Sequence, residues 1–290
     1  MPAPSAYDVA VIIPHYNDPD RLVRCLEALV PQAGEDVEIV VADNASTVDI
    51  SHVRAAFPSV RFVIQPESGA GPARNLGVAE TTAPWIMFID ADCLPAPDWL
   101  AVGREIARPD HVIGGRVDVF HETPPPKSGA EAFEQVFAFK MQAYLERDAF
   151  LGAGNLVTSR QLFETVGGFR PAVSEDKEWS QRAAATGFVL GFEDRFAAGH
   201  PSRQDWPALA RKWKRLGVEA FLLDAQGGAG RLKWALKALL MPASALAHAP
   251  RVLRATGLTP QEKGRALVTL LRIRCARMVW MLRQALTGKA

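Results

Sequence analysis

No stretch of this 290-residue chain reaches the ~18–20 uncharged apolar residues that a membrane-spanning helix needs. The nearest approach, 234–249, is interrupted by Lys237 and Pro242, so no spanning helix is expected. Cysteine is sparse. Cys25, Cys93 and Cys275 are odd in number, far apart and without metal-site spacing, which argues against a disulfide framework or a zinc site and suits reduced thiols in the cytoplasm. The first eight residues carry no basic segment followed by an apolar one, so no secretory leader is expected. No Gly-Lys-Ser/Thr occurs in the glycine-rich stretch 69–77, which excludes a Walker-type phosphate loop there. No internal repeat or low-complexity segment is present, which argues against a solenoid or a disordered chain.

A hydrophobic share of 48% and a charged share of 22% suit a globular protein. The net charge of +1 conceals a division. Residues 1–200 hold 16 Lys+Arg against 28 Asp+Glu, whereas residues 201–290 hold 17 against 4. An acidic body thus precedes a basic C-terminal third, which implies an anionic surface or partner for that third. Nucleic acid is not the expected partner.

The first hundred residues alternate strand and helix. Apolar runs at 9–13, 37–42, 61–64 and 85–89 read as strands. Asp18-Pro19-Asp20 opens one helix, 48–57 forms another, and Gly69-Ala70-Gly71-Pro72 opens a third at 73–80. Such a pattern, with strands apolar throughout, predicts an α/β, Rossmann-like, mostly parallel sheet flanked by helices. Further on, 111–120 reads as a strand, 130–147 as one helix, 152–155 as a turn and 174–185 as a helix with acids in its first turn. From about 205 the pattern is helical and basic. Arg272, Arg274, Arg277 and Arg283 lie among Leu, Met and Trp, which suits either a helix at a membrane surface or a helical bundle.

Ligands of open α/β sheets bind beyond the carboxyl ends of the strands. Asp43 ends the second predicted strand, where it can accept hydrogen bonds from a base or ribose; a turn former is the plainer explanation. Asp90-Ala91-Asp92 follows the apolar run 85–89. Two carboxylates two residues apart on extended backbone face the same side and suit Mg²⁺ or Mn²⁺. Arg74 adds a permanent positive charge beside a helix N-terminus. Glu175 and Asp176 are candidates for a general base, or simply first-turn acids. His200 is a lone histidine, able to complete a metal site or to serve the fold.

Taken in order, these segments resemble family 2 glycosyltransferases, the inverting enzymes of the GT-A fold. The resemblance runs from about Val9 to about Phe221. It rests on Val11-Ile12-Ile13-Pro14-His15-Tyr16-Asn17, Asp43-Asn44-Ala45-Ser46, Gly71-Pro72-Ala73-Arg74-Asn75-Leu76-Gly77 and Phe88-Ile89-Asp90-Ala91-Asp92, then on Gly152-Ala153-Gly154-Asn155 and on Gly167-Gly168-Phe169 with Glu175-Asp176. It implies a base pocket lined by Pro14, Tyr16 and Asp43, with Arg74 near the nucleotide. It implies Asp90 at the ribose or metal, Asp92 on the metal, Asp176 as base beside Glu175, and Gly154 and Asn155 bordering the acceptor. His200 would be a downstream metal or diphosphate ligand. The cofactor would be Mn²⁺ or Mg²⁺, the donor a nucleotide sugar (UDP-linked), and the acceptor a saccharide or lipid-linked saccharide, as in the making of cell-surface polysaccharide. The expected division is a catalytic domain over 1–225, with halves meeting near 120, and a basic, amphipathic helical region over 226–290. A cytoplasmic enzyme lying peripherally on anionic membrane is the expected setting.

Two departures matter. Asn44-Ala45 stands where Asp-Gly is commoner, and the Gln-x-x-Arg-Trp signature of processive members is absent, which points to single additions. The competing classes are a nucleotidylyltransferase, disfavoured by Pro14-His15-Tyr16-Asn17 after the first strand, and a non-catalytic sugar-nucleotide binder.

Overall fold

A computed structural model describes residues 7–170, 174–225 and 227–289. The chain forms two compact units, one of Met1–Asp118 with Phe139–His200, the other of Val119–Ala138 with Pro201–Ala290. The expected boundary at 225 therefore falls inside the second unit.

The first unit opens as expected with β1 (Val9–His15), α1 (Pro19–Leu29), β2 (Val37–Asp43), α2 (Ser51–Ala56), β3 (Arg61–Ile64), α3 (Ala70–Ala79) and β4 (Trp85–Ile89). β1 pairs in parallel with β2 and β4, and β2 with β3. The alternating geometry of a strand sends Val9, Val11 and Ile13 to one face, against Leu22, Cys25, Leu26 and Leu29 of α1. Ala10 and Ile12 face the other way, toward Val78 of α3. Gly77 lets α3 approach closely, since a Cβ there would collide with Ile12.

Beyond β4 the sheet is no longer parallel. β5 (Leu94–Pro95), α4 (Trp99–Ile106), β6 (His111–Phe120), α6 (Met141–Asp148), β7 (Asn155–Ser159), α7 (Arg160–Val166), α8 (Glu175–Ala185) and β8 (Val189–Pro201) follow, with α5 (Gly129–Phe137) of the second unit between β6 and α6. The eight strands run in the order β3-β2-β1-β4-β7-β6-β8-β5. β7 is antiparallel to both β4 and β6, and β5 is antiparallel to β8. The mostly parallel sheet of the sequence reading is thus confined to its first four strands. α1 and α4 cover one face, while α3, α7 and α8 cover the other. The single helix expected at 130–147 is two, broken where Phe139 takes a left-handed φ of 49°.

The second unit is a helical bundle of α5, α9 (Trp206–Asp224), α10 (Gly227–Leu239), α11 (Met241–Arg254) and α12 (Pro260–Thr287). Phe133, Leu209, Val252, Leu270 and Ile273 form one core, and Phe221, Trp234 and Met281 a second. Among the described residues no helix is long and apolar enough to cross a membrane.

Candidate active site

Register builds the site first. In the β1–β2 pairing His15 lies opposite Asp43, both at strand ends. The Asp18 N–H donates to His15 Nε2 at 3.2 Å, which leaves Nδ1 to donate to Asp43 Oδ1 at 2.8 Å. The Ser46 hydroxyl donates to the same oxygen at 2.6 Å, and its N–H to Oδ2 at 3.2 Å. Asp43 is therefore fixed in a buried frame with acceptor capacity left on Oδ2. His15 was not singled out from the sequence; the signal was two polar residues closing two adjacent apolar strands. Pro14 is buried within β1, and Tyr16 projects with 59% exposure.

Asparagines tie the surrounding loops. Asn17 Oδ1 accepts from the Thr47 N–H at 2.8 Å and the Val48 N–H at 3.1 Å. The Asn44 amide donates to the Gln65 and Glu67 carbonyls and accepts from the Gly69 N–H. Asn75 clamps Phe169 through both its N–H and its C=O, at 2.8 and 2.7 Å. Trp179 and Arg182 of α8 hold the carbonyl of Gly167, and Arg182 that of Gly168. These links tie the Gly167-Gly168-Phe169 turn to α3 and α8, which brings the start of α8 to the start of α3.

There the central feature appears. Arg74, 3% exposed, places Nη2 2.6 Å from Asp90 Oδ1 and Nη1 3.1 Å from Glu175 Oε1, with Asp176 Oδ1 at 3.6 Å. Burial alone pushes this guanidinium down, but Asp90, Asp176 and Glu175 more than reverse it, so its pKa rises. The sequence reading put Arg74 near the nucleotide; what it touches is three carboxylates and, through its guanidinium, the ring of Phe169 at 5.6 Å. Burial raises the pKa of Glu175 despite the opposing pull of Arg74. The Gly71 N–H at the start of α3 bonds Glu175, so this helix N-terminus serves a carboxylate of the chain itself. A Cβ on Gly71 would lie 2.7 Å from Glu175 Oε2.

Asp176 accepts from the Ala153 N–H at 3.2 Å. Gly154 lies against Asp90, whose carboxylate fills the space a Cβ would take. Asn155 donates to the carbonyls of Arg116 and Phe196 and accepts from Trp99 Nε1. Its amide is committed to the core, so what it gives the site is the position of Gly154.

Asp92 lies close to Asp90. The pairing of Leu94 with Gly199 carries His200 alongside, with Nε2 3.3 Å from Asp92 Oδ2. The His200 ring lies 4.6 Å from that of Phe139, the residue that breaks the expected helix. Among the described residues no Lys or Arg pairs with Asp92. Asp90, Asp92 and Cys93 can bring ligand atoms within 4.8 Å of one another. Burial, with Asp92 and Asp90 adding to it, raises the Cys93 pKa, so the thiol stays protonated and the usable donors are carboxylate oxygens and one imidazole. That set fits a hard divalent cation. Three carboxylates share one guanidinium and Asp92 adds a fourth nearby, an excess of negative charge that a cation would balance.

A mixed sheet flanked by helices, with an Asp-x-Asp at the end of β4 and a carboxylate pair at the start of α8, is the architecture of the GT-A fold. The sequence pattern of glycosyl transferase family 2 matches residues 10–167, and the chain belongs to that family. Glycosyltransferase AglE of Haloferax volcanii is 28% identical over 230 residues, covering 74% of this chain and 75% of its own. The succinoglycan biosynthesis protein ExoO of Rhizobium meliloti is 35% identical over 106 residues, covering 36% of this chain but 30% of its own. Among solved structures, mannosyltransferase PcManGT from Pyrobaculum calidifontis in complex with GDP-Man and Mn²⁺ shares the fold at a TM-score of 0.59, with 19% identity over 100% of this chain and 92% of that one. S. aureus TarS 1–349 in complex with UDP-GlcNAc does so at 0.53, with 14% identity over 97% and 92%.

Proposed function

We propose that the chain moves a sugar, with inversion at the anomeric carbon, from a nucleotide-sugar donor to a saccharide or lipid-linked acceptor. The observation that carries this reading is the sharing of buried Arg74 by Asp90, Glu175 and Asp176, next to Asp92 and His200. Asp43, set by His15 and Ser46, accepts an N–H of the base on Oδ2, with Tyr16 beside it; a UDP-linked donor suits this acceptor. Asp92, with Asp90 and His200, would hold Mn²⁺ or Mg²⁺, which when bound supplies Lewis-acid stabilisation of charge on the departing diphosphate. Asp176 takes the proton of the acceptor hydroxyl as its oxygen bonds to the anomeric carbon and the carbon–diphosphate bond breaks. Glu175 is held by Arg74 and the Gly71 N–H and so keeps the guanidinium in place rather than carrying the proton. A succinoglycan biosynthesis protein and a chondroitin synthase among the relatives support a role in cell-surface polysaccharide.

The second unit supports peripheral contact with anionic membrane on the cytoplasmic side. From residue 225 on, 12 Lys+Arg face one acid, Glu262. Leu232, Leu236, Leu239 and Leu240 are exposed beside Arg231, Lys233 and Lys237.

Asp176→Asn tests the chemistry. It is expected to lower transfer about 10²–10⁴-fold, the usual share of a general base, while leaving donor affinity near wild type. Wild-type turnover in that variant overturns the assignment.

A further inference from the structure

In the second unit two guanidinium groups have no carboxylate partner among the described residues. Arg274 and Arg277, one turn apart on α12, are half-buried, and no carboxylate pairs with either among the described residues. Arg277 lies over the Trp213 ring of α9 at 4.8 Å. Arg274 Nη1 meets only the Met241 sulfur at 3.9 Å, a weak acceptor. Two donor atoms here are buried without a partner, Arg274 Nε and the Trp213 indole Nε1. Burial and Arg274 push the pKa of Arg277 down to about 10, and burial and Arg251 of α11 lower that of Arg274. Positive charge has been gathered at a cost, because a buried ion without a partner is strongly disfavoured.

A bundle that wanted only packing would place apolar side chains at 274 and 277. We propose that Arg274 and Arg277, with the Trp213 N–H, form a binding site for a phosphate-class anion, distinct from the donor site. Two guanidinium forks beside an indole N–H suit the several outward acceptor oxygens of a phosphate better than the two oxygens of a carboxylate. The anion comes either from a lipid headgroup or from a soluble phosphate. Exposed Leu271, one turn before Arg274 on the same face, favours the lipid source.

The test uses the full chain, wild type and Arg274→Gln/Arg277→Gln, with Arg283→Gln as an exposed control of the same helix. Thermal melts are recorded with inorganic pyrophosphate in EDTA, and sedimentation with phosphatidylglycerol or phosphatidylcholine vesicles. Without anion the double variant is expected to melt no lower than wild type, because it removes uncompensated charge; this also reports that it folds. Wild type and Arg283→Gln are expected to be stabilised by pyrophosphate, or to bind phosphatidylglycerol over phosphatidylcholine, with the double variant losing about ten-fold in affinity. A response to vesicles alone assigns the lipid source, and a response to pyrophosphate assigns the soluble one. A wild-type response that survives in full in the double variant overturns the proposal and leaves the transferase reading untouched. The proposal is overturned if wild type responds to neither probe, or if Arg283→Gln loses as much as the double variant.

Discussion

Gly154 and Ala45 mark two residue-scale constraints on the site. The carboxylate of Asp90 fills the space where a side chain at 154 would stand. Gly154→Ala therefore has to displace Asp90 from Arg74, and a displacement of about 1 Å at such a centre costs on the order of 100-fold in rate. The expected outcome is a folded protein, checked by circular dichroism, with donor turnover lowered by about that factor; unchanged turnover contradicts the geometry. Ala45 is the opposite case. It stands where glycine is commoner and takes a left-handed φ of 53°, which an L-residue adopts at a cost of about 1–2 kcal/mol. The Asn44 and Asn17 hydrogen bonds on either side hold it there.

At the scale of elements, the start of α12 depends on one carboxylate. Glu262 accepts from the Thr259 N–H and, with its other oxygen, from the Lys127 N–H, each at 2.8 Å. These bonds, those from Thr259 first, push its pKa down to about 2 from the usual 4.5. Because the folded value lies below the unfolded one, the stabilisation is complete above about pH 4.5 and drains as pH falls toward 2. Glu262→Gln, isosteric with the protonated acid, is expected to melt below wild type at pH 7, with the gap closing between those two pH values. A gap that stays constant on acidification contradicts the assignment. The elements also mark how far sequence could be read. The first four strands and their helices were legible because apolar runs and helix-opening prolines act locally. β7 and β8 were not, because their pairing is set by long-range contacts such as Asn155 with Phe196. Likewise the types of Asp90, Asp92, Glu175 and Asp176 pointed to a charged site, but that Arg74 joins three of them depends on how Asn75, Trp179 and Arg182 seat the turn at 167–169. The C-terminal arginines were open to two readings, membrane surface or bundle, and two of them settle on bundle tryptophans, Arg272 on Trp206 and Arg277 on Trp213.

For the whole molecule, charge is divided between an acidic body, proposed to gather a cation, and a basic bundle, proposed to face an anionic surface. Leu236→Glu/Leu240→Glu tests the second half. Each exposed leucine that enters the interface contributes roughly 1.5–3 kcal/mol, so partition onto phosphatidylglycerol vesicles is expected to fall at least about ten-fold without loss of fold. Equal partition of variant and wild type contradicts a membrane role for this face. The central claim concerns the first half: Asp90 and Asp92 recruit a divalent cation that anchors the donor diphosphate. Titration calorimetry of the full chain with UDP- and GDP-sugars, with Mn²⁺ and with EDTA, addresses it directly. The account predicts uptake of one donor class with Mn²⁺ and binding at least about ten-fold weaker both in EDTA and in Asp92→Asn, since loss of that ligand disables the cation site. Equal affinity with and without Mn²⁺, or no uptake of either sugar nucleotide in its presence, contradicts it.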